Sequence, residues 1–367
     1  MYKKCVGGIN KLALDLLKSF TATSTGNTFI SPYSISNSLA ILAMGCQGSS
    51  YCQIASALQW QTIADDEDKI FACYKRLDKK LSSTCNNKLL IANSIWSRSS
   101  VLPTFVQNVK KNFGEAFPLS SAEEINLWAS QKTNKQIKEL VNQISPATSV
   151  ILANAIYFKG IWQKPFDSKH TKRMPFQTSN KAKQVAMLSL KATLHFAMEK
   201  DYSCVELFYA DEEYSMVLVR PEGEISVNEF IRDRVSQDFP EEIASKLRAG
   251  EITIKLPKFK VEYEKEIRKE LEDLKITQVF VPGAAGLGRL TGDTSVFVSN
   301  FFHKAVCEVN EEGTEAAAAS AVVLSRSISW MPPQQILFDR PFLFFIKSVK
   351  QNLILFIGTI TDPSFHK

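Results

Sequence analysis

The sequence predicts an α+β fold, with helices concentrated in the first half of the chain and strands in the second. Apolar residues recur at helical spacing in the early segments, whereas short apolar runs typical of strands dominate the later ones. The two kinds of segment do not alternate regularly. A regular βαβ alternation would indicate a parallel α/β sheet, so its absence favours separate helical and sheet regions.

The individual elements follow from the spacing of their apolar residues. Helical periodicity predicts helices over residues 11–20, 35–44, 67–81 and 124–141. Runs of apolar residues predict strands over residues 89–95, 151–158, 214–219 and 252–256, and a hairpin of residues 342–348 with residues 353–360.

Length and composition indicate one globular domain over residues 1–367. The chain is 45% hydrophobic and 22% charged, which excludes disordered, collagen-like and coiled-coil proteins. No internal repeat or linker divides it. Its apolar stretches, such as residues 342–346 and 353–357, are far shorter than the roughly 18 residues of a membrane span. The net charge of +6 favours acidic partners at low salt without identifying one, and we expect a monomer that binds no nucleic acid.

Cysteine usage and the N-terminus bear on the compartment. The seven cysteines are odd in number and form no C-x-x-C pair, so we expect neither a disulfide framework nor a metal site. Gly7, Gly8 and Asn10 interrupt the N-terminal apolar segment, which predicts that no signal peptide is present. These features predict a cytoplasmic protein or one released by an unconventional route, and an extracellular one if the true N-terminus is missing.

A glycine-rich segment at residues 281–292 is the first of two unusual stretches. Its spacing, G-x-G-x-x-x-G, differs from both nucleotide-binding fingerprints, and no strand-then-helix context surrounds it. We interpret it as a flexible connection.

The second unusual stretch covers residues 310–335. Thr314 as an N-cap, followed by four alanines, favours a helix. Read with a period of two, the same residues give a strand with small or apolar side chains on one face and no bulky side chain on the other, able to enter a sheet. Both interpretations remain open at this point. Further on, Arg326 lies between two serines and is a suitable protease cleavage site, and Pro332 and Pro333 end any regular element.

Several ordered motifs resemble the serpin family of protease inhibitors over nearly the whole chain. They are NTFISPYSI at residues 27–35, MGCQGSSYCQI at 44–54, INLWASQKTNKQI at 125–137, LANAIYFKGIWQKPF at 152–166, IKLPKF at 254–259, HKAVCEVNEEGTEAAAAS at 303–320, RPFLFFI at 340–346 and FIGTITDP at 356–363. The resemblance implies about nine helices around three β-sheets, with residues 310–335 as an exposed reactive-centre loop. The chain departs from the family at Lys275, where glycine is common.

The resemblance also implies roles for particular residues. It implies a hinge, the start of the reactive-centre loop, at Glu311, Gly313, Thr314, Ala316, Ala317, Ala318 and Ala319. It implies a set of sheet-opening residues at Ser31, Ser34, Asn154, His303 and Trp162. Without the family, these are capping residues, a satisfied strand position and a core tryptophan.

The implied activity is irreversible inhibition of a serine protease. The protease cleaves the loop as a substrate, and the loop then inserts into the central sheet while the acyl-enzyme persists. Counting from Glu311 in the family's usual way puts Ser327 before the cleaved bond, which suits an elastase-like protease. The guanidinium of Arg326 instead suits a trypsin-like protease and the bond between Arg326 and Ser327, which we favour on the sequence alone.

Two other function classes compete with inhibition. A non-inhibitory serpin, with a carrier, chaperone or storage role, keeps the fold but usually carries bulky, charged or proline residues in its hinge, which this chain lacks. An enzyme is disfavoured because no G-x-S-x-G, H-E-x-x-H or P-loop motif is present. We expect no cofactor.

A basic face on the helix predicted over residues 67–81 suggests a second ligand. Its members recur at helical spacing: Lys75, Arg76, Lys79 and Lys80. In the family this region resembles a helix that binds sulfated polysaccharide in some members. The sequence alone favours an ordinary solvated face, because Asp78 interrupts the stripe.

Overall fold

The computed structural model describes residues 1–63, 66–81, 88–112, 114–313 and 334–363. These residues contain ten α-helices: α1 (Tyr2–Thr23), α2 (Pro32–Gly45), α3 (Gly48–Ala57), α4 (Glu67–Leu81), α5 (Pro103–Asn112), α6 (Ala122–Lys132), α7 (Val227–Arg234), α8 (Phe239–Lys246), α9 (Arg268–Asp273) and α10 (Gly288–Thr291). Short 3₁₀ turns lie at Trp60–Thr62, Ser168–His170 and Gln278–Phe280. Within these ranges, no helix combines the length and the apolar character that a membrane crossing requires.

The same ranges contain fourteen strands. They are β1 (Thr28–Ile30), β2 (Lys88–Ser97), β3 (Glu115–Pro118), β4 (Val150–Lys159), β5 (Lys172–Gln177), β6 (Ala182–Met198), β7 (Tyr202–Phe208), β8 (Tyr214–Pro221), β9 (Arg248–Pro257), β10 (Phe259–Glu266), β11 (Val298–Val309), β12 (Gln335–Leu337), β13 (Phe342–Ser348) and β14 (Leu353–Ile360). Every predicted strand lies within one of them, and the α+β class is confirmed.

The strands form one large and one smaller sheet. The nine-stranded sheet runs β1-β14-β13-β8-β7-β6-β9-β12, with β5 also paired to β6. The five-stranded sheet runs β10-β11-β4-β2-β3. The resemblance implied three sheets, and the described residues form two because β6 is long. It pairs with β5 over its first residues and with β7 over its last, so one strand joins two groups.

Helix α1 begins nine residues earlier than the sequence predicted. Gly7 and Gly8 lie inside it, and Gly8 is fully packed against the backbone of Leu58. A Cβ at Gly8 would lie 2.2 Å from the carbonyl oxygen of Leu58. The glycine that weakens the helical pattern is therefore required by a close contact between α1 and the end of α3.

Helix α6 ends nine residues earlier than predicted. Asn134 and Lys135 have φ values of 51° and 63°, and two consecutive left-handed residues terminate a right-handed helix. The apolar spacing nevertheless continues, because Ile137, Leu140 and Val141 are buried against the five-stranded sheet. The helical spacing of the apolar residues in this segment therefore results from their burial against the sheet and does not indicate a helix.

The glycine-rich segment is an irregular connection that contains the short helix α10. Gly286 has a φ of 62°, and a Cβ there would lie 2.7 Å from the carbonyl oxygen of Gln47. Lys275, where the family commonly has glycine, also has a positive φ, of 68°. The backbone conformation that glycine adopts readily is therefore kept at this position with a lysine.

Two hydrophobic clusters hold the layers together. The larger one fills the space between the helices and the two sheets, and includes α1, α2 and the inner face of the five-stranded sheet. The smaller one lies on the outer face of that sheet, beneath α6 and the segment that follows it. The five-stranded sheet is thus covered on both faces.

Candidate functional site

The centre of the five-stranded sheet is a parallel pair of neighbouring strands, β4 and β11, which we call the seam. Its register runs from Val298 opposite Val150 to Val306 opposite Tyr157. Strand β10 flanks β11 and strand β2 flanks β4, both antiparallel. The seam therefore lies between two antiparallel ladders, and β11 leads straight from it into residues 310–313.

A tight turn over residues 310–313 closes the end of β11. The N–H of Asn310 donates to the carbonyl oxygen of Gly313 (3.0 Å), and Gly313 also forms a bridge with Ile161 beyond the end of β4. Gly313 has a φ of 121°, and a Cβ there would lie 2.2 Å from the carbonyl oxygen of Gly160. Only glycine fits this position, both for its φ and for the close approach of the two backbones.

Glu311 fixes this turn to two other parts of the molecule. Its carboxylate accepts hydrogen bonds from Nζ of Lys258 (3.0 Å) and Oγ1 of Thr171 (3.0 Å). Its carbonyl oxygen accepts from the N–H of Phe166 (2.7 Å). Burial raises the pKa of the Glu311 carboxyl, but the hydrogen bonds and the charge of Lys258 outweigh it and hold the pKa below its ordinary value. Glu311 is therefore a charged anchor at the start of the loop.

Trp162 packs against the same turn. Its indole Nε1 donates to the carbonyl oxygen of Asn310 (3.1 Å). Its backbone N–H donates to the carbonyl oxygen of Glu312 (3.0 Å). The ring is stacked on Tyr209 with centroids 4.5 Å apart and is 3% exposed. Trp162 thus lies at the end of the seam where the loop begins, separate from the other four residues that the resemblance grouped with it.

Those four residues meet in a buried polar cluster on the inner face of the sheet, at the middle of the seam. The cluster consists of Ser31, Ser34, Asn154 and His303, together with Ser38 and Asn93. Asn93, Asn154 and His303 are register partners on β2, β4 and β11, so their side chains form a row across three strands. Ser31 caps α2, and its hydroxyl donates to the carbonyl oxygen of Leu355 (2.7 Å).

The hydrogen bonds of His303 determine its tautomer. The backbone N–H of Ser31 can only donate, so Nε2 of His303 accepts from it (3.2 Å). Nδ1 then carries the proton and donates to Oδ1 of Asn154 across the seam. Burial lowers the pKa of His303 from its ordinary 6.5 to about 3, so the imidazole is neutral at physiological pH.

Sequence reasoning missed two members of this cluster. Asn93 holds it together, because its Oδ1 accepts from Oγ of Ser34 (3.1 Å), Oγ of Ser38 (3.1 Å) and Nδ2 of Asn154. The available signal was Asn93 itself, an amide in the middle of the apolar run that predicted β2. A polar side chain that becomes buried in such a strand needs hydrogen-bond partners. Ser38 lies one helical turn after Ser34 on α2, so it presents its hydroxyl to the same side.

The four basic residues of α4 are all exposed, and two of them also contact another part of the chain. The guanidinium of Arg76 and the ammonium of Lys80 lie over the ring of Tyr2, at 5.4 and 4.5 Å from its centroid. The cationic stripe predicted from the sequence is thus partly used in packing α4 against the start of α1.

The remaining residues that the resemblance pointed to lie outside the described part of the chain. They are Thr314, Ala316, Ala317, Ala318 and Ala319 of the hinge, and Arg326 and Ser327 of the reactive bond.

Comparison with known proteins agrees with this arrangement. The family described as Serpin (serine protease inhibitor) matches residues 8–363. The chain is 33% identical to a leukocyte elastase inhibitor of Xenopus laevis over 368 residues, covering 95% of this chain and 97% of that one. It is 35% identical to Serpin B8 of Homo sapiens over 353 residues, covering 92% and 93%.

Among solved structures, the thermophilic serpin tengpin in its native state superposes with a TM-score of 0.89 at 26% identity, covering 97% of this chain and 94% of that one. The fold, the ordered motifs and the whole-length matches agree. The chain belongs to the serpin family, a family of protease inhibitors and not of enzymes.

Proposed function

We propose that this protein irreversibly inhibits an elastase-like serine protease through cleavage of its reactive-centre loop between Ser327 and Ile328. The cleaved loop then enters the seam as a new strand. The observation that carries this proposal is the parallel pairing of β4 with β11 next to the turn at residues 310–313.

The seam suits a strand that enters from the end of β11. A chain that doubles back there lies antiparallel to β11, and β10 already occupies the other side of β11. Because β4 is parallel to β11, the entering strand is antiparallel to both neighbours. It thus forms one ladder of hydrogen bonds with β4 and another with β11. In the closed sheet, the seam has only the one ladder between β4 and β11. Apart from Glu315, residues 314–324 have small or apolar side chains, which fit either face of the sheet.

This gain makes the uncleaved form metastable. Each inserted residue also removes apolar surface from water, at about 25 cal/mol per Å². Insertion requires two local arrangements to break: the turn that pairs Gly313 with Ile161, and the hydrogen bond between His303 and Asn154 across the seam. We propose that the hinge residues and the polar cluster act at these two points, the first as the start of insertion and the second as a hold on the closed sheet.

The protease supplies the chemistry. Its serine attacks the carbonyl carbon of Ser327, the peptide bond to Ile328 breaks, the amine of Ile328 leaves with a proton, and an ester joins the protease to Ser327. Water would normally hydrolyse this ester. Insertion that is faster than hydrolysis carries the attached protease along the sheet and distorts its active site, so the ester persists.

The choice of target rests on two observations. The family register counted from Glu311 puts Ser327 before the cleaved bond, and the leukocyte elastase inhibitor aligns with 97% of its length. A small hydroxyl side chain suits the small primary pocket of an elastase-like protease. Arg326 favours the second candidate, a trypsin-like protease that cleaves between Arg326 and Ser327, and that bond needs a loop one residue shorter than usual.

The test is incubation of the purified protein with an elastase-like and a trypsin-like protease, followed by denaturing electrophoresis. We expect a covalent complex with the elastase-like enzyme, and a released C-terminal peptide that begins at Ile328. A peptide that begins at Ser327 and a complex with the trypsin-like enzyme alone would identify the second candidate. Cleavage by both enzymes without any stable complex would indicate a non-inhibitory serpin.

The basic face of α4 remains a candidate for binding sulfated polysaccharide. All four residues are exposed, and Arg76 and Lys80 also contact the ring of Tyr2. We expect Lys75→Ala together with Lys79→Ala to lower the salt concentration needed for elution from a heparin column. Lys110→Ala with Lys111→Ala, at the end of α5, is the matched control of equal charge change.

A further inference from the structure

Two free cysteines lie where α1 packs against α4: Cys5 of α1 and Cys73 of α4. Both are buried, at 1% and 6% exposure. The other free cysteines of the described residues belong to elements elsewhere in the fold, the end of α2, α3, β7 and β11: Cys46, Cys52, Cys204 and Cys307. The packing of α1 against α4 therefore places one thiol on each of two neighbouring helices.

The side chains beside the two cysteines show where the helices meet. The ring of Tyr2, at the start of α1, lies under the guanidinium of Arg76 (5.4 Å) and the ammonium of Lys80 (4.5 Å) on α4. Cys5 lies one helical turn after Tyr2, and Cys73 lies one turn before Arg76. Each cysteine is therefore on the face of its helix that forms this contact.

Helix geometry sets how close two such residues come. The axes of packed helices lie about 8–10 Å apart, and Cα atoms lie about 2.3 Å from their own axis. Residues that face each other across the contact therefore have Cα atoms about 3.5–5.5 Å apart at the closest point. A disulfide needs a Cα separation of about 4.4–6.8 Å. The contact between α1 and α4 thus provides a separation that a disulfide can span.

The electrostatic influence of the two thiols on each other agrees with this placement. Burial raises the pKa of Cys5 to about 12, and a charged Cys73 thiolate adds to that rise. Burial also raises the pKa of the Tyr2 phenol, the charge of Arg76 lowers it, and the thiolates of Cys5 and Cys73 both raise it. Both sulfur atoms thus lie within electrostatic range of the same phenol.

We propose that Cys5 and Cys73 form a stabilising disulfide where a small-molecule disulfide such as glutathione disulfide is present, and remain thiols in a reducing compartment. The disulfide joins the start of α1 to α4. It closes a loop from residue 5 to residue 73 that contains β1, α2 and α3. Closing a loop of this length lowers the entropy of the unfolded chain, so the folded state becomes more stable. Protease inhibition does not depend on this link.

The disulfide forms by two exchange steps. The Cys73 thiolate attacks one sulfur of the small disulfide, and the other half leaves as a thiolate and takes up the proton that Cys73 released. The Cys5 thiolate then attacks the sulfur of Cys73 in this mixed disulfide, and the second small thiol leaves with the proton of Cys5. Two protein thiols are oxidised, and one small disulfide is reduced to two thiols.

Burial controls the rate of this exchange. It raises the pKa of both cysteines, so both are protonated thiols at neutral pH and react slowly in the folded protein. The same burial shields the completed disulfide from reductants. The disulfide therefore forms slowly in the folded protein, or during folding, and persists once it has formed.

The test is incubation of the folded, full-length protein with glutathione disulfide, followed by blocking of free thiols with iodoacetamide and digestion with trypsin. We expect mass spectrometry to show residues 5–11 linked to residues 70–75, two hydrogens lighter than the two thiol peptides together. A second sample is refolded from urea in the same buffer, and the linked peptide in either sample supports the proposal. Its absence from both samples would overturn it, as would Cys5 or Cys73 linked to a different cysteine.

Melting temperatures connect the disulfide to stability. We expect the linked wild type to melt about 5 °C above the same protein reduced with dithiothreitol. Cys73→Ser should melt at the same temperature with and without glutathione disulfide, because Cys5 then lacks its partner. If Cys73→Ser does not fold, Cys5→Ala replaces it with the same expected result. Equal melting temperatures of the linked and reduced wild type would overturn the stabilising role.

The matched control is Cys52→Ser, which removes an exposed thiol on α3. We expect this variant to keep both the linked peptide and the rise in melting temperature. A rise that persists in Cys73→Ser, or that disappears in Cys52→Ser, would overturn the proposal, because a different cysteine would then cause it.

Discussion

At the scale of single residues, His303 links the closed sheet to pH. Its folded-state pKa of about 3 lies below the ordinary 6.5, because the charged imidazolium is excluded from the buried cluster. The unfolded chain therefore binds one more proton than the folded protein between these two values. Stability from this residue is fully present above about pH 6.5 and is lost as the pH falls from there towards 3.

We therefore predict that His303→Gln reduces the loss of stability on acidification. Between pH 7.5 and pH 5 the wild type should lose about 2 kcal/mol through this residue, and the variant should lose correspondingly less. The measurement is urea unfolding at both pH values. The control is His170→Gln, whose imidazole is exposed and lies outside the cluster, and which should keep the acid sensitivity of the wild type. Equal acid sensitivity in His303→Gln and the wild type would contradict the prediction.

Glu311 gives a second prediction at this scale. Glu311→Gln removes the charge that pairs with Lys258, and these side chains are only 16% and 28% exposed. We expect the free energy of unfolding to fall by about 1 kcal/mol at neutral pH. A double-mutant cycle with Lys258→Met checks it. Additive effects of the two substitutions would show that the pair does not interact as described.

At the scale of elements, the sequence predicted whether a segment is a helix or a strand better than it predicted where that segment begins and ends. Every predicted strand lies within an observed strand, because apolar strand runs and burial in a sheet coincide. Helices α1 and α6 differ in length from their predictions for reasons that lie outside the local pattern. In α1, a glycine is required by contact with Leu58, and after α6, apolar residues are buried by the sheet in a non-helical backbone.

The element with the sharpest prediction is the strand that the hinge would become. Thr314→Arg should convert the inhibitor into a substrate, because an unpaired charge entering the sheet costs several kcal/mol and slows insertion below the rate of ester hydrolysis. The ratio of covalent complex to cleaved protein measures this. Glu315→Arg is the control, because the next residue along a strand faces the opposite side and is already charged. An unchanged stoichiometry of inhibition in Thr314→Arg would contradict insertion.

At the scale of the whole molecule, the proposed mechanism predicts that one cut raises stability. Cleavage within residues 323–327 by a non-target protease frees the loop to enter the seam, where it gains two ladders of hydrogen bonds and buries apolar surface. The melting temperature should rise by more than about 10 °C. Scanning calorimetry before and after a single confirmed cut measures it, and equal melting temperatures would favour a non-inhibitory serpin.

The sequence is sufficient to predict the family, the α+β class and the order of the strands along the chain. Through the family resemblance it also points to several residues of the site. Ordered motifs carry the family, and burial of alternating or helically spaced side chains leaves a local pattern that can be read. The resemblance implied Ser31, Ser34, Asn154 and His303 as one set, and in the structure these four side chains lie in one hydrogen-bonded cluster.

Which distant residues meet depends on the tertiary structure. Asn93, Asn154 and His303 form one row because three strands far apart in the chain share a register. Glu311 pairs with Lys258, and Lys304 reaches Glu139, because the packing of the layers brings these distant segments together. Local periodicity extends over a few residues, whereas strand register and layer packing are set by the whole core, so these contacts leave no signal in the neighbouring sequence.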